Sequence, residues 1–206
     1  MSALPLKIVV LISGNGSNLQ AIIDAVQANK IDVVIQAVIS NKACAFGLER
    51  ARLANIPCEV IEAKDFPSRN SYDAALLDCL NQYEPALIVL SGFMRILGPD
   101  LVAHFPNRII NIHPSLLPKY PGLNTYQRAL DAGDKEHGTT VHFVIEALDA
   151  GPIIAKEKLE ILSGDTPEAL QKRVQALEHQ LYPQVIGDFA KRRLHFSNIG
   201  VESGSE

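Results

Sequence analysis

The feature that most constrains this chain is a recurring unit: a short, mostly apolar run, a break, and then apolar residues at helical spacing. Lys7 to Ile12 is the first run; it stops at Ser13-Gly14-Asn15-Gly16-Ser17-Asn18, after which Leu19, Ile22, Ile23 and Val26 recur on one helical face. Val33 to Ile39 and Ala45 to Ala54 repeat the unit, as do Cys58 to Ile61 and Ser68 to Gln82, and Pro85 opens another apolar run over Ala86 to Leu90. Pro67 followed by Ser68 marks a helix start with Ser68 as its N-cap. Strands that are apolar on both faces suit a parallel sheet covered by helices on each side.

After Phe93 the pattern changes. A short helix over Pro99 to His104 leads to a strand at Arg108-Ile109-Ile110-Asn111-Ile112-His113. Pro114, Pro118, Pro121 and Gly122 then exclude regular helix or central strand. Thr125 to Asp131 reads as a short helix, and Thr139 to Val144 and Pro152 to Leu159 as strands parted by a turn at Asp149-Ala150-Gly151. A long helix spans Pro167 to Asp188, and Arg193 to Phe196 forms a small terminal strand before a polar tail from Ser197. There is no repeat, low-complexity stretch or linker, so residues 1–206 read as one α/β domain with its core over about 7–196.

Composition narrows the function. A net charge of -4 gives no reason to expect nucleic acid, which calls for a clustered basic surface; no apolar stretch approaches a membrane span, and no secretory signal opens the chain. The three cysteines, Cys44, Cys58 and Cys79, form no C-x-x-C pair and fit free thiols in a reducing compartment, which makes the cytoplasm the expected location.

The first strand–helix turn presents backbone N–H groups at the positive end of a helix, a setting for phosphate. Gly14 and Gly16 permit the tight backbone, and Ser17 and Asn18 add side-chain donors. A dinucleotide fingerprint is incomplete, because Leu19 holds the third glycine position and the second strand ends Ser40-Asn41-Lys42 without an acidic residue. No G-K-[ST] follows either, so a single phosphate of a small ligand fits best.

Asn111 and His113 stand two apart on a strand and so share a face at its C-terminal end, where open α/β sheets place ligands. An amide beside an imidazole suits stabilisation of an oxyanion together with proton donation. Asp149, in the turn after a later strand, is the candidate carboxylate to favour the charged imidazole. On periodicity alone a strand histidine is as readily structural, and sequence does not say whether Asp149 reaches His113 or which way His142 points.

The run Asn111-Ile112-His113-Pro114-Ser115-Leu116-Leu117-Pro118 resembles the N-x-H-P-S-L-L-P signature of folate-dependent formyltransferases, and Leu148-Asp149-Ala150-Gly151-Pro152 resembles that family's aspartate motif. The similarity runs from about Lys7 to Phe196. It implies a Rossmann-like formyltransferase fold with a mostly parallel sheet and an antiparallel C-terminal portion. It also implies catalytic roles for Asn111, His113 and Asp149, with 10-formyltetrahydrofolate as co-substrate and no metal.

Within the family, Ile12-Ser13-Gly14-Asn15-Gly16-Ser17-Asn18-Leu19-Gln20 and Ser91-Gly92-Phe93-Met94-Arg95-Ile96-Leu97 resemble the branch that acts on glycinamide ribonucleotide. That likeness implies Gly16, Ser17, Asn18, Gln175 and Glu178 for the ribonucleotide. For folate it implies Arg69, Met94, Arg95, Ile96, Leu97 and Asn111 with the turn Ile145, Glu146, Ala147, Leu148 and Asp149. Without the resemblance, Glu178 reads as an exposed helix charge and Arg69 as a solvated residue at a helix start. Lys119 is a lesser candidate near the substrate. Ser91, Asn124, Tyr126 and Ala150 depart from the family pattern, and none is a catalytic position. The alternatives are a deformylase that hydrolyses the same folate and a noncatalytic folate- or phosphate-binding module. The resemblance leaves monomer and homodimer open.

Overall fold

A computed structural model describes residues 4–191; the expected strand over Arg193 to Phe196 and the tail from Ser197 lie outside the described residues. The elements alternate as β1 (Leu6–Ile12), α1 (Ser17–Gln27), β2 (Val33–Ser40), α2 (Phe46–Leu53), β3 (Cys58–Val60), α3 (Arg69–Tyr83) and β4 (Leu87–Leu90). They continue as α4 (Pro99–His104), β5 (Ile109–His113), α5 (Thr125–Asp131), β6 (Glu136–Phe143), β7 (Ile153–Glu160) and α6 (Pro167–Ala190). A turn of 3-10 helix at Ala63–Asp65, for which the sequence carries no clear signal, precedes α3.

The strands form one seven-stranded sheet in the order β3-β2-β1-β4-β5-β6-β7. Pairing is parallel from β3 through β5, while β5 with β6 and β6 with β7 are antiparallel. Alternate residues of β1 explain why its apolar run has no polar gaps. Ile8, Val10 and Ile12 pack with Leu19 and Ile22 of α1, Leu48 of α2 and Tyr182 and Ile186 of α6, whereas Val9 and Leu11 pack with Tyr72, Leu76 and Leu80 of α3 and Leu101 of α4. Each fully buried side chain of this kind contributes about 1.5–3 kcal/mol against exposure.

Local signals set the boundaries. Ser68 accepts from the Ser71 backbone and Ser71 returns the bond, a reciprocal cap that starts α3 where Pro67 predicts it. Thr166 caps α6 with a single bond, its side chain accepting from the Ala169 N–H. Tyr182 of α6 donates to the carbonyls of Leu90 (2.9 Å) and Ile110 (3.2 Å), pinning that helix to the ends of β4 and β5. Among the described residues no helix is long and apolar enough to cross a membrane.

Candidate active site

The site is built where β1, β4 and β5 end. Gly16, at φ 74, caps α1. A Cβ on it would stand 2.7 Å from the Gly47 Cα, so only glycine allows α2 to approach this closely. Gly47 N–H donates to Gly14 O (3.0 Å), and Arg50 donates to Asn15 O (2.9 Å) and Asn15 Oδ1 (3.1 Å). The turn is thereby held rigid with the first N–H groups of α1, which have no partner within the helix, at its rim.

Asn18 reaches from this turn to α6, donating from Nδ2 to Glu178 Oε2 at 2.8 Å. Glu178 is not the exposed charge its helix position suggests: it is only 5% exposed. Burial pushes its carboxyl up to about 7, against hydrogen bonds from Asn18 and Thr139 that favour the ionised form. The signal that could have found this burial is its place in the stripe Leu170, Val174, Glu178 and Leu181, all buried on α6. Gln175, one turn earlier, is half-buried.

The glycine turn is tied to the next strand end by the Met94 N–H, which donates to Ser13 Oγ at 2.7 Å. The segment after β4 walls a cavity of about 590 Å³ that Met94, Arg95, Ile96 and Leu97 line on one side and residues 145–149 on the other. Leu97 is buried, while Met94 and Ile96 are exposed. The Arg95 guanidinium lies 4.1 Å over the Tyr72 ring. Arg69 is not in the cavity wall; it donates to the Ile96 and Leu97 carbonyls (both 3.2 Å) and faces Asp73 at 3.5 Å. It is therefore anchored at its guanidinium while its side chain stays about half exposed.

Asn111, His113, His142 and Asp149 meet in the same cavity. His113 Nδ1 lies 3.4 Å from Asp149 Oδ2, and its Nε2 lies 2.9 Å from Tyr120 O, so both ring nitrogens face acceptors. Asp149 also accepts from the Gly122 N–H at 2.8 Å, and its Oδ1 stands 3.7 Å from His142 Nε2. The Asp149 backbone takes φ 51, a left-handed conformation that Asp and Asn tolerate better than other side chains. His142 faces inward, 2% exposed, and Asn111 Nδ2 is 3.3 Å from its Nε2.

The proline-rich loop between β5 and α5 is braced from below. Thr140 Oγ1 donates to Ser115 O (2.7 Å) and accepts from the Leu117 N–H (3.1 Å), and Lys156 Nζ donates to Leu117 O. Lys119 turns instead to Asp134, which it meets at 2.9 Å, and does not line the cavity. Tyr126, on α5, packs edge-on against His137 at 5.6 Å. Ser13, Arg50, Thr140 and His142 are thus site-supporting residues to which the motifs gave no role. Chemically, the arrangement offers an anion-binding turn, an apolar cavity, an amide donor and an imidazole held against a carboxylate.

A formyl transferase family model matches residues 6–186. The chain belongs to the formyl transferase family. Among this family's members, the phosphoribosylglycinamide formyltransferase of Escherichia coli (strain K12) is 56% identical over 189 residues, covering 92% of this chain and 89% of that one. The fold matches the phosphoribosylglycinamide formyltransferase of Coxiella burnetii with a TM-score of 0.89 at 56% identity, over 92% of this chain and 89% of that one. It also matches glycinamide ribonucleotide transformylase 1 of Symbiobacterium toebii with a TM-score of 0.91 at 45% identity, over 94% of this chain and 92% of that one. The mixed sheet with its antiparallel end, expected from the formyltransferase signature, is the architecture this chain shares with them.

Proposed function

We propose that this chain transfers the formyl group of 10-formyltetrahydrofolate to the amine of glycinamide ribonucleotide, yielding formylglycinamide ribonucleotide and tetrahydrofolate in purine biosynthesis. The observation that carries this reading is the Asp149–His113 contact at 3.4 Å on the wall that Asn111 shares, inside a cavity large enough for a pterin. The Asn18–Glu178 bond favours transfer over hydrolysis of the same folate, because it joins a phosphate-binding turn to a carboxylate suited to an amine-bearing ligand. The relatives' names point the same way.

In this reading the substrate amine attacks the formyl carbon, forming a C–N bond and an oxyanion. Asn111 donates a hydrogen bond to that oxygen, where a preformed donor is worth about 2.7–4 kcal/mol, and His113 joins it by giving up the Tyr120 carbonyl that its Nε2 faces at 2.9 Å. The attacking nitrogen loses its proton and the folate nitrogen gains one as its bond to the formyl carbon breaks. His113 serves as the acid for this departure and Asp149 stabilises the imidazolium between the two transfers. Gly16, Ser17 and Asn18 hold the phosphate, and Gln175 and Glu178 the remaining polar groups of the ribonucleotide. Met94 to Leu97 and Ile145 to Asp149 enclose the folate, with Arg69 fixing the backbone of the first segment and available to the folate's glutamate tail. The protein acts in the cytoplasm and takes no metal in this reaction.

The deciding experiment is formyl transfer from 10-formyltetrahydrofolate with and without glycinamide ribonucleotide. Turnover that requires the ribonucleotide supports the proposal; folate turnover without it makes the protein a deformylase, and folate binding without turnover makes it a binding module.

A further inference from the structure

His142 lies directly opposite Asn111 across the antiparallel β5–β6 pair. Its Nδ1 is 2.9 Å from the Phe143 carbonyl oxygen, which can only accept, so Nδ1 carries the hydrogen. Burial pushes the ring's pKa down, and His113 nearby pushes it the same way, against the opposing pull of the Phe143 carbonyl and Asp149. In the resulting neutral ring, Nε2 holds a lone pair and no hydrogen. A carboxamide has two unlike ends, and only its NH₂ end can bond a lone pair. The 3.3 Å approach of Asn111 Nδ2 to His142 Nε2 therefore has one consistent direction, with Asn111 donating. The same Nε2 stands 3.7 Å from Asp149 Oδ1, and Asp149 Oδ2 stands 3.4 Å from His113. The NH₂ end of Asn111 is thus on the side of the cavity where His113 and Asp149 gather. A flipped amide would set its carbonyl oxygen against a lone pair, which is repulsive at short range.

We propose that His142 is a positioning residue: it fixes the Asn111 carboxamide with its N–H donors, not its oxygen, on the side of the cavity lined by His113 and Asp149, where the formyl oxygen gathers charge. This inference rests on the formyl-transfer reading for its consequence, but its geometry is measurable without turnover. With His142 replaced by an apolar side chain, the amide is free to present oxygen instead of hydrogen, and the loss falls on the transition state more than on either bound substrate.

The test compares His142→Leu with His142→Gln, whose terminal oxygen can accept where Nε2 does, alongside ¹⁵N NMR of the wild-type ring and of the Asn111 side-chain amide. We expect His142→Leu to lower kcat roughly ten- to hundredfold with both KM values within about threefold, and His142→Gln to restore much of the loss. The NMR is expected to show Nδ1 protonated, Nε2 bare, and one Asn111 amide hydrogen in a hydrogen bond that the Leu variant lacks. A folded His142→Leu with wild-type kcat, or a wild-type ring protonated at Nε2, overturns the proposal. A wild-type protein that transfers no formyl group defeats the functional reading instead, and the NMR then decides the orientation alone.

Discussion

Asn18 and Glu178, 160 positions apart in the chain, are joined by a 2.8 Å bond from the Asn18 amide to the Glu178 carboxyl, and this closes the glycine turn against the long C-terminal helix. The consequence is a stability that depends on pH. With the folded carboxyl raised from 4.5 to about 7, the folded chain keeps a proton between those values that the unfolded chain has lost. Stability therefore falls as pH rises through that window and stays lower above it, by up to about 3 kcal/mol for this group. Glu178→Gln, which keeps an acceptor for Asn18, removes this slope; urea denaturation at intervals from acid to mildly alkaline pH checks it. A Gln variant with the wild-type slope would assign the proton to another group.

His113→Ala and Asp149→Asn are each expected to lower kcat by roughly 10²- to 10⁴-fold while folate affinity changes less than about tenfold. Fluorescence titration with folate beside single-turnover kinetics separates the two effects. Wild-type turnover in either variant would remove that residue from the proton path.

Asn18→Ala is expected to weaken binding of glycinamide ribonucleotide while leaving an unphosphorylated glycinamide riboside unchanged. Calorimetric titration of both ligands is the check, and equal weakening would show that Asn18 acts through Glu178 rather than through the phosphate.

A Cβ at Gly151 would stand 1.8 Å from the Phe143 carbonyl oxygen, the same atom that accepts from His142 Nδ1. Gly151→Ala must therefore shift the turn carrying Asp149, and both readouts are expected to fall: stability by about 1–3 kcal/mol and kcat along with it. Thermal unfolding and formyl transfer on the same preparation test this, and an alanine variant with wild-type kcat would show that the turn absorbs the clash.

The sheet was legible because its strands are buried on both faces: Lys7 to Ile12 and Ala86 to Leu90 need no partner to be recognised. The parity of Asn111 and His113 was equally local. What sequence did not carry was cross-strand register and long-range contact. His142 could be placed on β6, but its facing Asn111 depends on how β5 and β6 slide against each other, which no single strand encodes. Glu178 sits on its helix's buried stripe, yet its charge argued for solvent until the Asn18 partner from the opposite end of the chain was seen. Arg69 at its helix start says only solvent, and the structure shows it also gripping the Ile96 and Leu97 carbonyls, a contact across 27 and 28 positions that no local pattern encodes.

The left-handed backbone at Asp149 narrows what drift can do at this position. Most residues would bear about 1–3 kcal/mol of strain there, and glycine, which would relieve it, has no acceptor to offer His113 or the Gly122 N–H. Asparagine fits the backbone but brings no charge. Conformation thus narrows the position to aspartate, asparagine and glycine, and chemistry picks aspartate among them, so a lineage that abandoned formyl transfer would drift here chiefly toward asparagine or glycine. A distant sequence with asparagine or glycine at this position would then keep the shape of the turn without the reaction.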